Sequence, residues 1–178
     1  AIFTSPARPF YQSVTLINLA PISLEKYQEF CQTHFERNGK SLEGDVVPQL
    51  YERFEGITSY MQRTMNVLYT MTQKGSLCTC DMIDIAIKEL LDFSSDTYET
   101  LSYQMPEKQR ALFVAIASAG KAKTINGSEF VRKYHLSSAS SVASAAKGLL
   151  EKDFITNDRG TYQVYDLFFK LWLQKTRL

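Results

Sequence analysis

The stretch that most limits what this chain can fold into is GLLEKDFITNDRGTYQVYD, Gly148 to Asp166. An apolar helix end, Leu149-Leu150, runs into the charged stop Glu151-Lys152-Asp153. Phe154-Ile155-Thr156 follows, then the polar turn Asn157-Asp158-Arg159-Gly160, then Thr161-Tyr162-Gln163-Val164. Asn, Asp and Gly supply the conformations a tight hairpin needs, and β-branched and aromatic residues on both sides favour extended chain. The pattern predicts a helix delivering the chain into a two-stranded ribbon.

What precedes the ribbon decides what kind of unit holds it. Pro106 suits the first turn of a helix that carries Leu112, Phe113 and Ile116 and stops at Gly120. Ser128 is expected to cap a short second helix with Phe130, Val131 and Tyr134 inward. After Leu136-Ser137 a third helix places Val142, Ala145, Ala146, Leu149 and Leu150 on one side. Three helices and a hairpin in that order make a winged helix-turn-helix, with the third helix in the recognition position.

Upstream of Pro106 the pattern is helical with one exception. Ser13 to Leu19 alternates as a strand, and a lone strand needs a sheet. Pro21-Ile22-Ser23 opens a helix, with Ser23 as N-cap and Leu24, Tyr27, Cys31 and Phe35 on one face, ended by Asn38-Gly39. Asp45 is expected to cap Val46–Phe54, which Gly56 stops. Thr58 or Ser59 starts a helix carrying Met61, Met65 and Leu68, and Asp81 to Asp92 is the cleanest amphipath. These four short helices are expected to form a small bundle, their methionines serving as core.

Charge divides the chain at the same place. Residues 1–105 hold 8 Lys/Arg against 13 Asp/Glu, and residues 106–178 hold 12 against 6. The basic half either holds phosphate backbone or docks against the acidic half. On the third helix the expected exposed side chains are Ser140, Ser141, Ser144, Lys147 and Glu151. Most are too short for the bidentate contacts that read bases. Lys121, Lys123, Arg132, Lys133, Lys147, Lys152 and Arg159 are the candidate phosphate contacts, which position a protein without specifying sequence. Tyr162, Tyr165 and Trp172 read as core or interface anchors.

Several chemistries are excluded by spacing. Gly39-Lys40-Ser41 imitates a phosphate loop, but the position five before Gly39 is His34, not Gly, and a helix precedes it where a strand is required. His34 and His135 have no partners at metal or triad spacing, so no metal site is expected. Cys31, Cys78 and Cys80 read as reduced structural thiols, no apolar run is long enough to span a membrane, and no signal pattern opens the chain. The expected location is cytoplasmic, without a membrane partner. Beginning at Ala1 without Met, the sequence is expected to be a piece of something longer.

Four motifs taken in order resemble a known family. They are RPFY at Arg8 to Tyr11, LAPISLEKYQEF opening the first helix, GITSYMQRTMNVL from Gly56, and TYQVYDLFFKLWL closing the winged unit. Together they resemble the C-terminal half of the archaeal-type P-loop ATPases, relatives of the AAA+ and STAND NTPases that also occur in bacteria. The resemblance implies a mainly α chain. Residues 1–20 would be the last strand of a truncated αβα core, 21–105 a helical lid and 106–178 the winged helix. It further implies that Arg8 reaches a γ-phosphate as an arginine finger or sensor, that Gly56 lies by the adenine, and that Arg63 senses phosphate. Thr58 stands where the family's Gly-x-Pro has proline. Walker A and B motifs are absent from this chain, so ATP and Mg²⁺ are implied only in the full-length parent, with this chain inactive alone. The implied partners are the parent's own N-terminal P-loop core and either nonspecific DNA or a protein. The competing expectation is a free-standing winged-helix DNA-binding or protein-interaction regulator without nucleotide.

Overall fold

A computed structural model describes residues 20–176. The strand expected at Ser13 to Leu19, and Arg8, lie outside the described residues. Within them the chain is mainly helical: α1 (Leu24–Arg37), β1 (Ser41–Leu42), α2 (Val46–Arg53), α3 (Thr58–Met71), β2 (Leu77–Cys78), α4 (Met82–Tyr103), α5 (Glu107–Ala119), β3 (Ala122–Lys123), α6 (Ser128–Lys133), α7 (Ala139–Glu151), β4 (Ile155–Asp158), β5 (Thr161–Val164) and α8 (Leu167–Thr176).

The first helix forms as its pattern requires. Tyr27, Cys31 and Phe35 are buried on one face, Ser23 stands extended at the N-cap, and Glu25 in the first turn and Arg37 in the last complement the helix dipole. Gly39, at φ 66°, ends it: its N–H donates to Glu36 O at 2.9 Å and the Lys40 N–H donates to Phe35 O at 3.0 Å. The imitation phosphate loop is therefore a helix stop. Lys40 Nζ then donates to Tyr69 O at 2.5 Å, pinning the end of α1 to the end of α3.

Three expected caps make no bond: Ser23 stands extended before α1 and Asp45 stands with αR backbone before α2, both without a capping bond, and Gly127, not Ser128, is the N-cap of α6. The largest departure is α4, which continues past Asp92 to Tyr103. Its second half, FSSDTYETLSY, is rich in residues with weak helix preference, and packing supplies what propensity lacks. Tyr98 and Ser102 are buried there, and Trp172 Nε1 donates to Ser95 Oγ at 2.9 Å. The upstream bundle also contains a parallel two-residue pairing of β1 with β2, Ser41 opposite Leu77 and Leu42 opposite Cys78.

The core is continuous from α1 to α8. The last helix joins its two parts. Phe168 packs edge-on against Phe54 and Tyr60, with centroids 5.4 and 5.1 Å away, while Phe169 stacks on Tyr98 at 4.5 Å and meets Phe113 edge-on at 5.0 Å. Asp166 caps this helix, its Oδ1 accepting from Phe168 N at 2.9 Å and Phe169 N at 3.2 Å. Leu167 N donates to Tyr60 Oη at 3.1 Å, and burial pushes the Tyr98 phenol up to about 12, keeping it a donor toward Asp166. The acidic and basic halves thus meet through aromatic packing. The ion pairs between them among the described residues are Lys121–Glu55 at 2.9 Å and Lys175–Asp92 at 3.8 Å; both are exposed and contribute little. Phe168→Ala should cost about 3–5 kcal/mol of stability in urea unfolding. A loss below about 1 kcal/mol would mean that α8 is not the joint.

Candidate nucleic-acid interface

The basic half builds its exposed face from α6, α7 and a three-stranded sheet. The helix α6 ends on His135, at φ 53°, with Leu136 N donating to Val131 O at 2.9 Å, and the chain turns into α7. Ser138 caps α7, its Oγ accepting from Ser141 N at 3.2 Å. Val142, Ala145, Ala146 and Leu149 are buried, and the small residues let α5 come close. A Cβ at Gly148 would sit 2.3 Å from Gln109 Nε2, so any larger residue there displaces that amide. Phe130, Val131 and Tyr134 of the α6 region are half-buried, a shallower packing than the expected inward face.

The ribbon is tighter than the sequence suggests. The strands β4 and β5 pair antiparallel from Ile155 opposite Val164 to Asp158 opposite Thr161, which leaves only Arg159-Gly160 as loop. Both loop residues have positive φ, 48° and 83°, as a type I′ turn requires. Asn157 belongs to the strand, and its Oδ1 accepts from Gly160 N at 2.9 Å. A third strand, β3, joins the other edge of β5 with Lys123 opposite Thr161. This row sets Lys123 and Asp158 on either side of Thr161, beside the turn that carries Arg159. Two residues of strand give no periodicity, so β3 leaves no readable signal in the sequence.

Residues 96–175 match the family described as a probable winged helix domain. No curated protein and no solved structure matches the chain. The winged-helix match begins at residue 96, inside α4 and ahead of the division expected at Pro106. It takes in Tyr98, whose ring lies on Phe169. Winged-helix domains are generally DNA- or protein-binding, and the ribbon β4–β5 is the wing.

Each candidate residue now has a place. Ser140, Ser144, Lys147 and Glu151 are exposed and recur at four-, three- and four-residue spacing, so they form one stripe along α7. Ser141 is half-buried and its N–H is engaged by the cap, contrary to the expected exposure. Lys147 Nζ lies 4.0 Å from Glu151 in an exposed pair. Lys123 and Arg159 at the wing, Arg132 and Lys133 at the end of α6, and Lys152 after α7 are exposed, with no ion pair among the described residues. Lys121 differs: Glu55 already holds its ammonium. Tyr162 is half-buried and Trp172 buried, but Tyr165 is 64% exposed.

The residues for which the family resemblance implies a nucleotide role, Gly56 and Arg63, lie far from this face in sequence. Gly56, at φ 69°, continues the stop of α2, and a Cβ there would come 2.8 Å from the Tyr51 ring. Arg63 is exposed on α3, its guanidinium carbon 4.8 Å over the Phe168 ring. Among the described residues no three His, Cys, Asp or Glu side chains gather to hold a metal, and no helix is long and apolar enough to cross a membrane. The cysteines are free thiols. Burial pushes Cys31 up to about 12, and desolvation with the Glu43 carboxylate pushes Cys80 up to about 11, so both are protonated at neutral pH.

Gly160→Ala tests the wing. Open space surrounds the position, so the cost is backbone strain alone, about 1–2 kcal/mol. It should appear as faster amide exchange in β4 and β5 with α7 unchanged, and unchanged exchange would argue against the turn.

Proposed function

We propose that the winged-helix unit is a docking arm for duplex nucleic acid that grips phosphate without reading sequence. The observation that carries this is an exposed α7 stripe whose first half offers only the short side chains of Ser140 and Ser144, set beside cations at the wing, Lys123 and Arg159, with no ion pair among the described residues. Serines at positions 140 and 144 offer weak base discrimination, whereas Lys147, Arg159, Lys123, Arg132 and Lys133 each offer a phosphate contact. Lys121 contributes only after leaving Glu55. On this reading affinity falls steeply as salt rises and varies little between sequences. Lys147→Ala with Arg159→Ala should weaken all duplexes alike and flatten the salt slope by roughly one unit per lost contact, measured by fluorescence anisotropy across a salt series. Tight, salt-resistant binding to one sequence would overturn it. Absence of binding at low salt would favour docking on protein, a second reading to which the exposed Tyr165 lends support.

The motif order further supports a parent related to the AAA+ and STAND ATPases. The chain would then supply the lid and the output arm, and the parent's core would supply the P-loop, ATP and Mg²⁺ chemistry. In that parent Gly56 lies by the base and Arg63 faces phosphate. The continuous core from α1 to α8 favours this coupling, because a lid that moves carries the winged unit with it. Arg8→Ala in the parent should lower turnover while leaving nucleotide affinity nearly intact, as expected of a group acting in the transition state. Unchanged turnover returns Arg8 to an anchoring role. If the parent sequence lacks a strand-GxxxxGK[ST]-helix segment, the free-standing regulator is the better reading.

A further inference from the structure

On the helical unit, α1 packs on α2 and α3 packs on α4, and a trough of about 700 Å³ lies between α1 and α3. Tyr27, Cys31, Phe35 and Met65 are buried along it, while Phe30 on its wall is 65% exposed. The lining runs from Tyr27 to Phe35 on α1 and from Ser59 to Tyr69 on α3. At 1.5 Å per residue that is roughly 12–15 Å, the length of two to three helical turns.

Charge says what fits there. Residues 1–105 carry five more acids than bases, yet no Asp or Glu lines the trough, while Arg63 does. Lys40 lies beside it, its Nζ 3.7 Å over the Tyr69 ring. The occupant therefore carries acidic groups beside an apolar stripe. Residues 1–19 contain no Asp or Glu and one cation, Arg8, so the chain's own leading segment has the wrong sign. A nucleobase is a poor match at the Tyr69 end, where Lys40 covers one face of Tyr69 and the Phe35 and Tyr69 rings meet edge to face.

We propose that the trough between α1 and α3 docks an acidic amphipathic helix of a partner protein. Its apolar side chains at i, i+3 or i+4, and i+7 cover Phe30 and the floor, and its flanking carboxylates meet Arg63. This goes beyond the nucleic-acid reading, on which it does not depend, and it competes with the ATPase reading for Arg63.

The test is peptide display on the immobilised full chain. Selected peptides should combine the helical apolar spacing with Asp or Glu, and should lose about tenfold or more in affinity against Phe30→Ala and against Arg63→Glu. Phe30 is exposed, so its variant should keep the parent's circular dichroism. Lack of enrichment, enrichment of basic or neutral peptides, or indifference to Phe30→Ala overturns the proposal. Displacement of a selected peptide by Mg-ATP also overturns it, assigning the trough to nucleotide. Movement of the amide resonances of residues 1–19 on Phe30→Ala, without peptide, overturns it in favour of the chain's own segment. Peptide binding that ignores ATP supports the proposal and leaves the ATPase reading to the Arg8 measurement.

Discussion

Two adjacent aromatic residues, Phe168 and Phe169, stand about 100° apart around the start of α8, and the relation between the two halves of the chain depends on them. Phe168 enters the space between Phe54 and Tyr60 of the helical unit, while Phe169 lies between Tyr98 and Phe113. Aromatic side chains bury more area than any others, so this pair outweighs the exposed ion pairs across the same join. Asp166 fixes the direction of both rings through the helix start, and Tyr60 bonds the adjoining Leu167 amide. A chain with halves of opposite charge invites an electrostatic explanation. The geometry supplies an apolar one.

Much of the fold could be read from the residues because local preference and burial agree there. The α7 stripe, the Asp-Arg-Gly run at the wing and the face of Tyr27, Cys31 and Phe35 each combine period with a matching stop. Reading failed where tertiary contacts overrule local preference. Beyond Asp92, α4 is held by Tyr98 and Ser95 against a helix some seventy residues away, which no window along the chain detects. The caps assigned to Asp45 and Ser128 rested on residue type, but the backbone conformation at those points does not offer the bond. The strands β1, β2 and β3 are too short to show an alternation.

The candidate site was legible as chemistry and less so as geometry. Side-chain length on α7 and the basic count after Pro106 are what the proposed phosphate-gripping role rests on. They do not reveal that Glu55, far back in the chain, occupies Lys121, or that the Ser138 cap engages the backbone at Ser141. The trough between α1 and α3 left no local signal, since each wall alone reads as an ordinary amphipathic helix.

The length of α4 bears on how such a chain can be reused. At 22 residues it spans roughly 33 Å, begins among the residues of the helical unit and finishes under α8. A winged unit copied into another protein from Pro106 onward would leave behind Tyr98 and Met105, both buried, and expose the ring of Phe169. A winged unit that keeps Phe169 covered therefore needs the last turns of α4 as well. Gene rearrangements that respect the proline would lose the unit's own foundation, while those that retain the last turns of α4 would carry it intact.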